Sequence, residues 1–145
     1  MNSIILNNKS SSIITTQMQY DICRSIFSAA ETGDLTKILS VCEKNIIDNI
    51  DQIIKRVCAI AINNNHINIL QHFFPKEAFT GCPDLMFEYF INAVKINAHL
   101  DVIKFFVENG IDIGQDSYKI VKIAKKWNRK NILTYFSVID PSVII

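Results

Sequence analysis

Four segments of the chain can be laid over one another at a spacing close to 33 residues, and a repeat of that length restricts the possible folds more than any single residue does. Residues 29–39 read AAETGDLTKIL, 61–70 AINNNHINIL, 94–103 VKINAHLDVI and 124–133 AKKWNRKNIL. With Gly33, Asn65, Ala98 and Asn128 as turn positions, the separations are 32, 33 and 30 residues. A unit of this size cannot bury its apolar face alone, so consecutive units must stack.

Each unit reads as two helices. Before the turns, Ile22, Ile26, Phe27 and Ala30, then Ile54, Val57, Cys58 and Ala61, then Phe87, Phe90, Ile91 and Val94, then Ile120, Val121 and Ala124 each mark one helix face. After the turns, Leu35, Ile38, Leu39 and Cys42, then Ile67, Leu70, Phe73 and Phe74, then Leu100, Ile103, Phe106 and Val107, then Ile132, Leu133 and Phe136 do the same. Strict alternation fits nowhere for more than a few residues, so the chain reads as all-α. A turn this tight passes through the left-handed region, which suits Gly33, Asn65 and Asn128. Ala98 does not suit it, and strain or a differently shaped turn is expected there.

The length, 145 residues, is that of one domain. The longest apolar run, residues 57–62, is far short of the roughly 20 residues of a membrane span. Residues 1–12 lack the pattern of a secretory signal, so an intracellular, cytoplasmic protein is expected. Cys23, Cys42, Cys58 and Cys82 never form C-x-x-C and read as buried free thiols. Four glycines match neither a P-loop nor a dinucleotide fingerprint, and no cofactor or metal is expected. Residues 1–18, rich in Ser, Asn and Thr, read as a mobile tail, 19–137 as the repeat domain and 138–145 as an apolar tail that folds back or joins a second copy.

The string NAHLDVIKFFVENGIDI, residues 97–113, resembles the ankyrin repeat, whose second helix and exit loop typically read like GHLEVVKLLLENGADV, and AAETGDL over 29–35 resembles the end of its first helix. The resemblance runs from about residue 20 to 137 and is clearest in the third unit. It implies an ankyrin-like α-solenoid of about four helix-turn-helix repeats, of the kind seen in large DNA viruses or intracellular bacteria, and hence a host-cell setting. The family's T-P-L-H tetrapeptide is missing. Its places hold Arg24–Phe27, Arg56–Ala59, Tyr89–Asn92 and Lys119–Lys122, which predicts longer first helices or irregular loops.

Chemistry-bearing residues fit structural roles. His66 and His99 follow their turns at the same repeat position, where the resemblance implies a loop hydrogen bond; His72 reads as a surface residue. Asp34, Asp51, Asp84, Asp101 and Asp116 sit where a helix start favours an acid, which leaves no converging pair for hydrolysis. Charge is uneven. Residues 1–118 hold nine basic and thirteen acidic side chains, whereas 119–145 hold six and one. Lys119, Lys122 and Lys126 share one helix face beside Trp127, the single tryptophan, either as a solvated cap or as a site for an acidic protein segment or nucleic acid.

The reading is therefore of a non-enzymatic module that binds another protein, with no membrane partner. The contact positions the resemblance implies are the two residues before each turn and the loops leading into the first helices. They fall on Glu31 and Thr32, Asn63 and Asn64, Ile96 and Asn97, Lys126 and Trp127, with Lys55, Glu88 and Tyr118 from the loops. The alternative is nucleic-acid or acidic-partner binding through Lys122, Lys126 and their neighbours in the basic C-terminal helix pair.

Overall fold

The computed structural model describes residues 2–144, with side chains from residue 16 onward. The expected tail over 1–18 therefore falls mostly outside the residues whose side chains are described. Among the described residues there are nine helices and no strand: α1 (Asn2–Thr32), α2 (Leu35–Lys44), α3 (Ile50–Asn63), α4 (Ile67–Phe73), α5 (Lys76–Gly81), α6 (Pro83–Lys95), α7 (Leu100–Glu108), α8 (Gln115–Lys126) and α9 (Lys130–Ile139). They form four pairs, α1/α2, α3/α4, α6/α7 and α8/α9. The first helices α1, α3, α6 and α8 touch in chain order, and α4, α7 and α9 do likewise. The four places expected for T-P-L-H all lie inside first helices.

Helix starts follow local chemistry. The Asp34 carboxylate caps α2 by accepting the Lys37 N–H at 3.0 Å. Asp51, Asp84, Asp101 and Asp116 lie in first turns, where a negative charge opposes the positive end of the helix dipole. Pro83 opens α6 at a position whose N–H has no helical partner.

The first helices end alike. Gly33, Asn97 and Asn128 have positive φ and donate to the carbonyl three residues back. Asp34, His66, Ala98 and Arg129, each following a positive-φ residue, donate to the carbonyl five back, which closes the helix and reverses the chain. This corrects the third turn: the left-handed residue is Asn97, not Ala98. Asn tolerates that conformation through its short polar side chain, whereas the alanine Cβ opposes it. Ala98 is an extra residue between the left-handed position and the helix cap His99, and it is buried. The third turn is thus the differently shaped one.

The predicted faces pack. Ile26, Ala30, Val57, Cys58, Ala61, Phe87, Phe90, Val94, Ile120, Val121 and Ala124 are buried from the first helices, and Ile38, Leu70, Phe74, Ile103, Phe106, Ile132, Leu133 and Phe136 from the later parts of the pairs. Leu100 is only partly buried. Phe106 is the hub of an aromatic cluster, with ring centroids 5.6 Å from Phe90, 6.1 Å from Phe74 and 6.1 Å from Phe79. Phe79 explains the added helix α5, which carries that ring into the core. Cys82, expected to be buried, is exposed because it caps the short α5 before Pro83. Cys58 is buried, and burial pushes its thiol up to about 12.

At the C-terminal end the chain folds back on α8. Val143 is buried, and the Tyr118 hydroxyl donates to Asp140 Oδ2 at 2.7 Å. Asp116, Ser117 and Tyr118, at the start of α8, all have positive φ. Among the described residues no helix is long and apolar enough to cross a membrane.

Candidate functional site

Side chains tie the second turn to the first and the fourth to the third. His66 Nε2 lies 2.8 Å from Glu31 O, and Asn68 donates to Gly33 O at 2.9 Å. The His66 ring passes so close to Gly33 that a Cβ there would sit 2.7 Å from Nδ1. Glycine is needed at that turn for this approach as well as for its φ of 77°. Two repeats later, Arg129 Nε donates to Val94 O at 3.2 Å and Nη2 to Lys95 O. A guanidinium on the last carbonyls of α6 also meets the negative end of that helix.

His66 therefore shares its role with Arg129. It does not share it with His99, the residue it aligns with in the chain. The extra Ala98 shifts His99 onto its own helix, where Nδ1 accepts the Asp101 N–H at 3.2 Å. The structural reading of both histidines holds, with different partners.

Ile96 caps α6 and Trp127 caps α8, at equivalent places in consecutive repeats. They are 50% and 48% exposed. The Arg129 guanidinium that bonds Val94 O and Lys95 O at the end of α6 also lies 5.8 Å from the centre of the Trp127 ring. Asn63 ends α3 and Asn64 caps it through its own amide on Ile60 O at 2.8 Å; both are exposed, as is Asn97.

Two of the three expected loop residues are not in loops: Lys55 lies within α3 and Glu88 within α6, because those helices begin upstream of the places that the family's motif implies, whereas Tyr118 has a left-handed, non-helical backbone at the kinked start of α8. Lys55 and Glu88 are nevertheless brought together with Leu85, Tyr89 and Asn92 around a groove of about 290 Å³ between α3 and α6. Leu85 is an exposed apolar side chain there, and burial pushes the Tyr89 hydroxyl up to about 12, with Cys58 adding to it. Tyr118 is engaged elsewhere, on Asp140 and within 3.2 Å of Ser142. Lys122 and Lys126 stand exposed on α8, away from the groove.

Arg129 and Leu85 were not singled out as contact or positioning residues from the sequence. The available signal for Arg129 was its place, immediately after a left-handed turn residue, where His66 also stands. Among the described residues no three His, Cys, Asp or Glu side chains converge in a way that could hold a metal ion.

The chain is 31% identical over 143 residues to "Putative ankyrin repeat protein R551" of Acanthamoeba polyphaga mimivirus, a match covering 91% of this chain and 50% of that protein. It thus spans about half the length of the relative. No family model and no solved structure matches the chain.

Proposed function

We propose that this chain, homologous to an ankyrin repeat protein, is a four-repeat α-solenoid that acts as a non-catalytic binding module for a partner protein. Stacked helix pairs spread their exposed side chains along a surface instead of converging them in a cavity, which favours contact over chemistry. The partner is held on the ends of the first helices, with Ile96 and Trp127 as apolar anchors and Asn63, Asn64 and Asn97 as polar contacts beside them. Lys55 and Glu88 extend the surface along the groove between α3 and α6.

The observation that carries this reading is the pair of half-exposed apolar side chains, Ile96 and Trp127, at equivalent helix ends of neighbouring repeats, with Arg129 bonded to the carbonyls just before Ile96 and lying near the Trp127 ring. An aromatic held rigid at the surface loses little entropy on binding and is a frequent anchor.

The test compares proteins captured by the wild-type chain and by Trp127→Ala from cells that express it, followed by titration of each purified candidate. A true partner loses about 2 kcal/mol or more of binding, near thirtyfold, on Trp127→Ala. Unfolding midpoints stay close to wild type. Partners retained in full by both Trp127→Ala and Ile96→Ala would remove this edge as the site.

A further inference from the structure

The outward face of α8 reaches the turn edge only at its last residue, Lys126. Lys119, Lys122 and Lys126 stand on it at i, i+3 and i+7, all exposed, and with Asp116 and Ile123 they border a shallow depression of about 240 Å³. Ile123 is half-buried and forms an apolar floor. Among the described residues no lysine or arginine lies within ion-pair distance of a carboxylate. Asp140, the single acid among residues 119–145, is engaged by Tyr118 and Ser142. The face therefore carries a net positive field, three lysines against the one acid at its rim, Asp116.

We propose that this face docks an acidic amphipathic segment of a partner protein, with carboxylates spread over two helical turns around one aliphatic side chain that seats over Ile123. The proposal rests on the reading of the chain as a protein-binding module but uses a surface separate from Ile96. From Lys119 to Lys126 the helix rises about 10 Å, the length over which Glu residues at i, i+3 and i+7 of a partner helix are spread. Nucleic acid fits this face less well. An apolar floor offers nothing to a phosphate chain, and no aromatic lines the depression to stack a base.

Fluorescence anisotropy on the full chain tests this with three labelled probes. They are an end-capped helical peptide with Glu at i, i+3 and i+7 and Leu at i+4, a peptide of the same composition in scrambled order, and a single-stranded DNA of matched charge. The patterned peptide is expected to bind about fivefold tighter than either of the others. Lys119→Glu/Lys122→Glu/Lys126→Glu should weaken it about tenfold or more, with the triple Ala variant falling between. Trp127→Ala should leave its affinity within about twofold, since that residue belongs to the other surface.

Several results overturn the proposal: no saturable binding of the patterned peptide, equal binding of the scrambled one, tighter binding of DNA, or lysine variants that fold and bind as wild type. Loss of the peptide in Trp127→Ala with the lysine variants unaffected also overturns it, and moves the peptide to the turn edge. Failure at the lysine face leaves the capture result for Trp127 untouched, so the two readings fail separately.

Discussion

Arg129→Ala probes the tie that sets the third and fourth turns against each other. It deletes the hydrogen bond from Nε to Val94 O at 3.2 Å, that from Nη2 to Lys95 O, and the contact with the Trp127 ring. Hydrogen bonds from a charged donor contribute about 1.5–3 kcal/mol when shielded from water. The Lys95 bond is exposed, so water recovers most of it. Val94 O also accepts the Asn97 N–H at 3.1 Å, so the deletion does not leave that carbonyl unpaired. What remains is the Val94 bond and the attraction of the cation for the C-terminal end of α6, together about 2 kcal/mol. Arg129→Lys keeps the charge without the planar fork and should recover only about 0.5 kcal/mol. Lys130→Ala, next in the chain and exposed, should cost less than about 0.5 kcal/mol. Urea unfolding followed by far-ultraviolet circular dichroism measures all three, with an unchanged denaturant slope as the condition for comparing midpoints. A loss at Arg129→Ala no larger than that at Lys130→Ala would refute the tie.

The same assay applies to the second tie. Gly33→Ala should cost about 2–3 kcal/mol, from the left-handed backbone and from displacing the His66 ring. In a His66→Ala background the same change should cost only the backbone part, about 1–2 kcal/mol, and equal costs in both backgrounds would mean that the ring does not crowd this glycine. Ile103→Ala, fully buried, should lose about 2–5 kcal/mol. Lys104→Ala, whose Nζ lies 5.7 Å from the Tyr135 ring centre, should lose about 1 kcal/mol or less, and comparable losses at the two positions would put the phase of α7 in error. Asp140 is held below its ordinary value of 3.8, first by the Tyr118 hydroxyl and then by Ser142. A depressed carboxyl favours the folded-back tail above that ordinary value, and its contribution fades as pH falls through the lowered one. In a carboxyl NMR titration, Tyr118→Phe should raise the Asp140 midpoint; an unchanged midpoint counts against the contact.

What could be read from the sequence was whatever neighbouring residues decide among themselves. Apolar spacing of three and four gave the helix pairs and most of the core, and Gly33, Asn65 and Asn128 marked their turns because left-handed backbone selects for those residue types. Ala98 was misplaced because aligning His99 with His66 hid a one-residue insertion, although Asn97 stood beside it with the better chemistry. Lys55 and Glu88 were assigned to loops by borrowing positions from a motif that this chain lacks. That absence already pointed to helices starting earlier. Helix α5 was missed because a six-residue helix between Pro75 and Pro83 is too short to show a period, and the contacts of Phe79 with Phe105 and Phe106 are visible only in the fold. Arg129 was counted into a basic run because composition records charge and not direction. Its guanidinium finds Val94 and Lys95 only once the fourth repeat is stacked on the third, thirty-odd residues away in the chain. Ile96 and Trp127 are unremarkable helix ends when taken singly, and what relates them is Arg129, two residues past Trp127, whose guanidinium bonds the two carbonyls just before Ile96.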